Sequence, residues 1–92
     1  MKFEYAANTL PQHAVMSIGD VMYMIPLEEL KSLYKALMEP GSNRTHYVKQ
    51  INQRLSFEIV ATNEKIIFPD DVGFDRAHFE RHLKKLIMDL RG

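Results

Sequence analysis

A chain of 92 residues, without cysteine and with 12 basic residues balancing 12 acidic ones, reads as one small domain. At this size only about 60 to 65% of the unfolded surface is buried on folding, so most apolar side chains are needed for the core. The missing cysteines exclude disulfide frameworks, thiolate zinc sites and cysteine nucleophiles. Zero net charge removes the simplest argument for a dedicated nucleic-acid binder or an acidic DNA mimic, so any electrostatic function must come from patches.

In chain order, Phe3 and Tyr5 alternate with Lys2 and Glu4 as an edge strand would, and Pro11 ends the run by removing a backbone donor. The runs AVMSI (14–18) and VMYMI (21–25) flank Gly19-Asp20, which suits a two-residue hairpin turn with glycine in the first central position. VMYMI is apolar on both faces, which predicts a central strand. Pro26 fits the first helical position, Glu28 and Glu29 complement the helix N-terminus, and Leu27, Leu30, Leu33, Tyr34, Leu37 and Met38 recur at helical spacing until Pro40-Gly41.

Residues 42–55 place Tyr47 or Val48, Ile51 and Leu55 on one face as a helix, a better pattern than the strand alternation; a helix is expected. LSFEIVA (55–61), Thr62-Asn63-Glu64 and KIIF (65–68) then form a second hairpin. Pro69 and a short loop lead to a helix capped by Asp75, with Phe74 placed to staple onto Phe79 and with Phe79, Leu83, Leu86, Ile87 and Leu90 in one stripe. The chain is therefore expected to be a single α+β domain over 1–92, with hairpin-helix units at 14–38 and 55–90. The architecture expected is an antiparallel sheet of four or five strands with two main helices packed on one face.

Charge is segregated along this order. Residues 1–41 sum to −2, 42–57 to +3, 58–75 to −4 and 76–92 to +3. The acid-free stretch 42–57 combines cations, amides and a ring, and Arg44, His46, Tyr47, Lys49, Asn52 and Arg54 are the expected binding residues. His46 and Lys49, one turn apart on a helix, could join His13 in metal-independent RNA cleavage. His78 and His82 share a helix face with Asp75, but the glutamate of HFERH is one place later than the HExxH pattern requires, and no metal site is expected. Asp70-Asp71 reads as a turn that also loads the second helix with negative charge. No GxSxG, GxGxxG or phosphate-loop pattern occurs, and no cofactor is expected.

Glu4 and Asn8 interrupt the apolar run that a secretory signal would need, and no run could span a membrane, so a cytoplasmic protein is expected. Met22 and Met24 could line an uncovered sheet face that takes a partner or a second copy. These features lead to the expectation of a small non-enzymatic binding protein. It would be an inhibitor or adaptor occupying a protein partner or a ribonucleoprotein complex. In size and absence of motifs it is comparable to phage-type anti-defence proteins of the anti-CRISPR kind. The alternatives are an RNA-binding or RNA-cleaving protein that contacts RNA directly, and a homo-oligomeric structural module, the simplest form being a homodimer.

Overall fold

The computed structural model describes residues 2–5, 12–51 and 54–91, with 2–5 and 91 described by their backbone. Among the described residues seven strands and two α-helices run in the order β1 (Lys2–Tyr5), β2 (His13–Ile18), β3 (Val21–Pro26), α1 (Leu27–Met38), β4 (Thr45–Val48), β5 (Phe57–Ala61), β6 (Lys65–Phe68), β7 (Val72–Asp75) and α2 (Arg76–Arg91), with a single 3-10 turn at Pro69–Asp71 before β7. The strands form two antiparallel sheets, β1-β2-β3 and β4-β5-β6-β7. The domain is α+β with two hairpin-helix units, and its strands divide between two sheets rather than lying in one.

Each sheet buries one face. In β2, Ala14, Met16 and Ile18 point inward. Tyr23 and Ile25 do so from β3, Val48 from β4, Phe57, Ile59 and Ala61 from β5, and Ile66 and Phe68 from β6. Leu30, Leu33 and Leu37 of α1 join them, as do Phe79, Leu83, Leu86, Ile87 and Leu90 of α2, in one continuous core. The helices pack on each other. α1 also meets β3 and β4, while α2 meets β1, β6 and β7, so each helix touches both sheets.

Aromatic rings join the two sheets directly. Tyr23 of β3 lies 4.3 Å from Phe57 and 5.9 Å from Phe68 between ring centroids. Phe68 in turn meets Phe74 and Phe79 edge-on, both at 5.7 Å. The expected staple between Phe74 and Phe79 thus works through a shared third ring, and Asp75 caps α2 as expected, accepting the His78 N–H at 3.0 Å.

Four local expectations are corrected. β3 is an edge strand, because β2 takes the central place between β1 and β3. Its outer edge is partly occupied by a loop: the Met24 N–H donates to Gln50 Oε1 at 3.2 Å and the Ile51 N–H donates to Met24 O at 2.9 Å. Pro26 pairs with His13 and is held extended, with ψ 153°, so it caps α1 instead of entering it. The Leu27 N–H donates to the Gln12 carbonyl at 2.9 Å.

Residues 72–74, expected as loop, form β7 together with the capping Asp75, in register with β6, Lys65 opposite Asp75 and Ile67 opposite Gly73. Gly73 and the flanking aspartates hide the strand alternation in the sequence. The connection into β7 turns on Asp70 and Asp71, both left-handed at φ 66° and 59°, a conformation aspartate tolerates better than most residues. β7 separates this acidic pair from the first turn of α2.

The fourth correction concerns 42–55, which contains β4 instead of a helix. His46 and Val48 alternate inward while Tyr47 points out. The period-two signal is masked in the sequence because one of the two inward positions is a histidine, and Tyr47-Val48 side by side imitates a helix face.

Candidate interaction surface

The acid-free stretch is held at both ends. Before β4, the Arg44 N–H donates to Ser42 O at 2.9 Å and the Arg44 carbonyl accepts the Ala61 N–H at 3.0 Å, which fixes the strand's first residue against the end of β5. Beyond β4, Gln50 and Ile51 are bonded to β3 as described. Of the expected binding residues, Arg44, Tyr47, Lys49 and Arg54 are exposed, with Tyr47 at 65%. Asn52 lies outside the described residues.

His46 is a correction: it is buried at 4% exposure, and its Nε2 donates to Ser42 O at 2.8 Å. A buried polar ring must be hydrogen-bonded, and this one ties β4 to the preceding loop rather than facing a partner. Lys49, which a helix would have set beside it, lies three residues further along a strand, about 10 Å away along the backbone. His13 belongs to the other sheet, opposite Pro26. The expected histidine-lysine constellation is therefore not assembled.

Arg44 and Tyr47 instead stand at the rim of a groove. The groove, of about 290 Å³, lies between β4 and α1, with Leu33, Ala36 and the buried His46 together with Ser32, Glu29, Arg44 and Tyr47. It offers an apolar patch, the hydroxyls of Ser32 and Tyr47, one carboxylate and one guanidinium. On the outer face of the same sheet, Thr45, Val60, Ile67 and Gly73 are successive cross-strand partners, so a row of small and β-branched residues runs across all four strands. Tyr47 stands beside this row, opposite Glu58. Leu55, at 82% exposure, adds apolar surface after Arg54.

Met22 is 63% exposed on β3 and Met24 half-buried, which leaves one thioether open on the first sheet. His78 and His82 do share a face of α2, their rings meeting edge to face at 4.3 Å. Asp75 spends its carboxylate on the helix cap. Among the described residues no three histidine, aspartate or glutamate side chains cluster as metal ligands would.

In the sequence Arg76 shows only as one of the cations in the +3 of residues 76–92. Its guanidinium donates to Glu80 Oε1 (2.8 Å), Asn43 Oδ1 (2.7 Å), Thr62 O (2.8 Å), Leu37 O (2.8 Å) and Ser42 Oγ (2.8 Å). Its backbone N–H donates to Glu64 O at 2.8 Å. The end of α1, the entry to β4 and the β5–β6 turn meet at this one side chain, where Asn43 also bonds Asn63. A signal was present: a cation in a helix's first turn opposes the macrodipole and needs another reason to be there. The groove between α1 and β4 had no such signal, since Glu29 and Ser32 read only as the polar side of an amphipathic helix.

No protein-family model, no curated protein and no solved structure matches this chain.

Proposed function

We propose that this chain is a non-enzymatic binding module of the inhibitor or adaptor type, which grips a protein partner with the Arg44–Tyr47 side of β4 and the adjoining groove. The observation that carries this reading is the placement of Tyr47. A large ring is 65% exposed on a strand fixed at both ends, at the rim of a groove that an exposed arginine three residues earlier also lines. Tyrosine and arginine in such settings dominate protein interfaces, tyrosine because it presents a large contact area with few torsions to immobilise and arginine because its planar guanidinium offers several donors in a fixed fork. Lys49 and Arg54 supply a cationic border, which favours a partner with an acidic or phosphate-bearing surface. A nucleic-acid-handling complex of the kind phage inhibitors block has such a surface.

The test is affinity recovery of the tagged protein from its native lysate, with and without nuclease, repeated with Tyr47→Ala, Arg44→Glu and Lys84→Glu. The expected result is a stoichiometric protein partner, retained after nuclease. Its affinity should fall by about 1 to 3 kcal/mol for Tyr47→Ala and Arg44→Glu, and by less than about 0.5 for Lys84→Glu on α2. Loss of the partner with Lys84→Glu alone would place the interface on the last helix and refute the assignment.

A further inference from the structure

β4 ends its sheet, with β5 as its one neighbour in the ladder. Which of its backbone groups β5 leaves open follows from the bond in which the Ala61 N–H donates to the Arg44 carbonyl at 3.0 Å. Hydrogen-bonded pairs alternate along an antiparallel ladder. In a register that sets Thr45 opposite Val60 and His46 opposite Ile59, Arg44, His46 and Val48 therefore turn their backbone groups toward β5, while Thr45 and Tyr47 turn theirs away. The far side of β5 agrees, since the Thr62 N–H donates to the Lys65 carbonyl at 2.9 Å and so directs Val60 and Thr62 to β6. Among the described residues no bond engages the Thr45 N–H, the Tyr47 N–H or the Tyr47 carbonyl. The Thr45 carbonyl accepts from the neighbouring Arg44 guanidinium at 3.2 Å. A side chain thus stands where the donor of a further strand would.

The groove of about 290 Å³ lies on this open side, because β4 and α1 line it and no residue of β5, β6 or β7 does. Resting on the reading that the Arg44–Tyr47 side grips a protein partner, we infer that the partner enters as an extended segment that adds a strand to the sheet along β4. Its main chain takes up the groups of Thr45 and Tyr47, and its inward side chains meet Leu33 and Ala36. One acidic residue replaces the Thr45 carbonyl as acceptor of the Arg44 guanidinium, and Glu29 on the α1 wall disfavours a run of further acids. The open backbone groups select a strand, since a helix satisfies its own backbone and has nothing to return to them. A second copy of the chain suits this edge less well. Two β4 strands paired antiparallel with Thr45 opposite Tyr47 set Arg44 of each copy beside Lys49 of the other, and residues 42–57 hold no acid to relieve that contact.

The experiment is amide hydrogen exchange of the full chain read by nuclear magnetic resonance, alone and with the capped peptide Val-Glu-Val-Thr-Val-Glu-Val, whose side-chain order is the same in both directions. Alone, the Thr45 and Tyr47 amides should exchange at least about a hundredfold faster than those of His46 and Val48. Saturating peptide should slow them at least about tenfold. The dissociation constant should rise at least about fivefold with Arg44→Glu, with lysine in place of both glutamates of the peptide, and with a peptide N-methylated at every residue, which keeps the side chains but has no N–H to give. Lys84→Glu, an equal change in net charge on α2, should alter it less than about twofold. Thr45→Pro removes an outward N–H at the first residue of an edge strand, where proline is tolerated, and should abolish binding that Thr45→Ala retains. The N-methylated peptide tests the same bonds on the unaltered chain. Equal binding of that peptide, no slowing of the two amides, or protection of them in the free chain that disappears on dilution, which would assign the edge to a second copy, would each overturn the strand addition. Recovery of the lysate partner by Thr45→Pro but not by Tyr47→Ala would overturn it while the protein interface stands. Loss of that partner through Lys84→Glu alone would refute the interface, and the strand addition with it.

Discussion

Replacing Arg76 by alanine should cost far more than its place in a surface helix suggests. The side chain is 12% exposed and its guanidinium reaches four acceptors in three segments of chain besides its pair with Glu80. Two of its bonds, to Leu37 O and Ser42 Oγ, are partly buried. Hydrogen bonds to a charged group contribute about 1.5 to 3 kcal/mol when desolvated, and acceptors left behind keep part of their desolvation penalty. The bonds to Asn43 and Thr62 are exposed and open to replacement by water, so each adds little. A loss of about 3 to 4 kcal/mol is expected, a large share of the 5 to 15 kcal/mol typical of a domain. Arg76→Lys, which keeps the charge but cannot fork to several acceptors, should recover less than half of it. Urea unfolding followed by far-ultraviolet dichroism measures both variants. A loss under about 1 kcal/mol for Arg76→Ala would show that solvent replaces the guanidinium at every acceptor and that the junction does not depend on it.

Leu83, fully buried at the centre of the α2 stripe, should cost about 2 to 4 kcal/mol as Leu83→Ala, because a small core closes poorly around a cavity; a denaturant midpoint shifted by less than about 0.5 kcal/mol would refute the packing. Burial, and then the Asp70 carboxylate, hold the Tyr23 phenol above the ordinary tyrosine value of 10.0. The folded chain keeps a proton that the unfolded chain releases. This contribution is therefore intact below pH 10 and is lost as pH rises through 10 toward the folded value. Tyr23→Phe should lose less stability than the parent between pH 9 and 11, and parallel pH profiles would show that the phenol does not titrate differently in the two states.

Where local chemistry is unambiguous, the sequence was legible. Gly19 at φ 60° between paired Ile18 and Val21, Asp75 bonded to the His78 N–H, and the buried run from Phe79 to Leu90 all follow from turn, cap and stripe rules. What escaped it are positions where a residue's partner is remote in sequence. His46 looks like an exposed site residue until Ser42 O and the inner face of the second sheet are known. VMYMI reads as central because its apolar character is judged without the loop from 50 to 51 that meets its edge. Arg76 is legible only as a cation in the wrong helical turn, and its five acceptors are spread from Leu37 to Glu80. Within the candidate surface, Arg44, Tyr47, Lys49 and Arg54 were identified by their local composition, whereas the groove depends on how α1 packs on β4.

The bonds from Gln50 and Ile51 to Met24 bear on the solubility of the chain. β3 is apolar along most of its length and has proline only at its end, the composition that makes an unpaired edge a template for self-association. The loop that engages one donor and one acceptor on that edge lies directly beyond Lys49, inside the stretch that carries the candidate partner contacts. Residues that would change to recognise a new partner are therefore covalent neighbours of those that occupy this edge. Substitutions at 49–51 are constrained by aggregation as well as by binding.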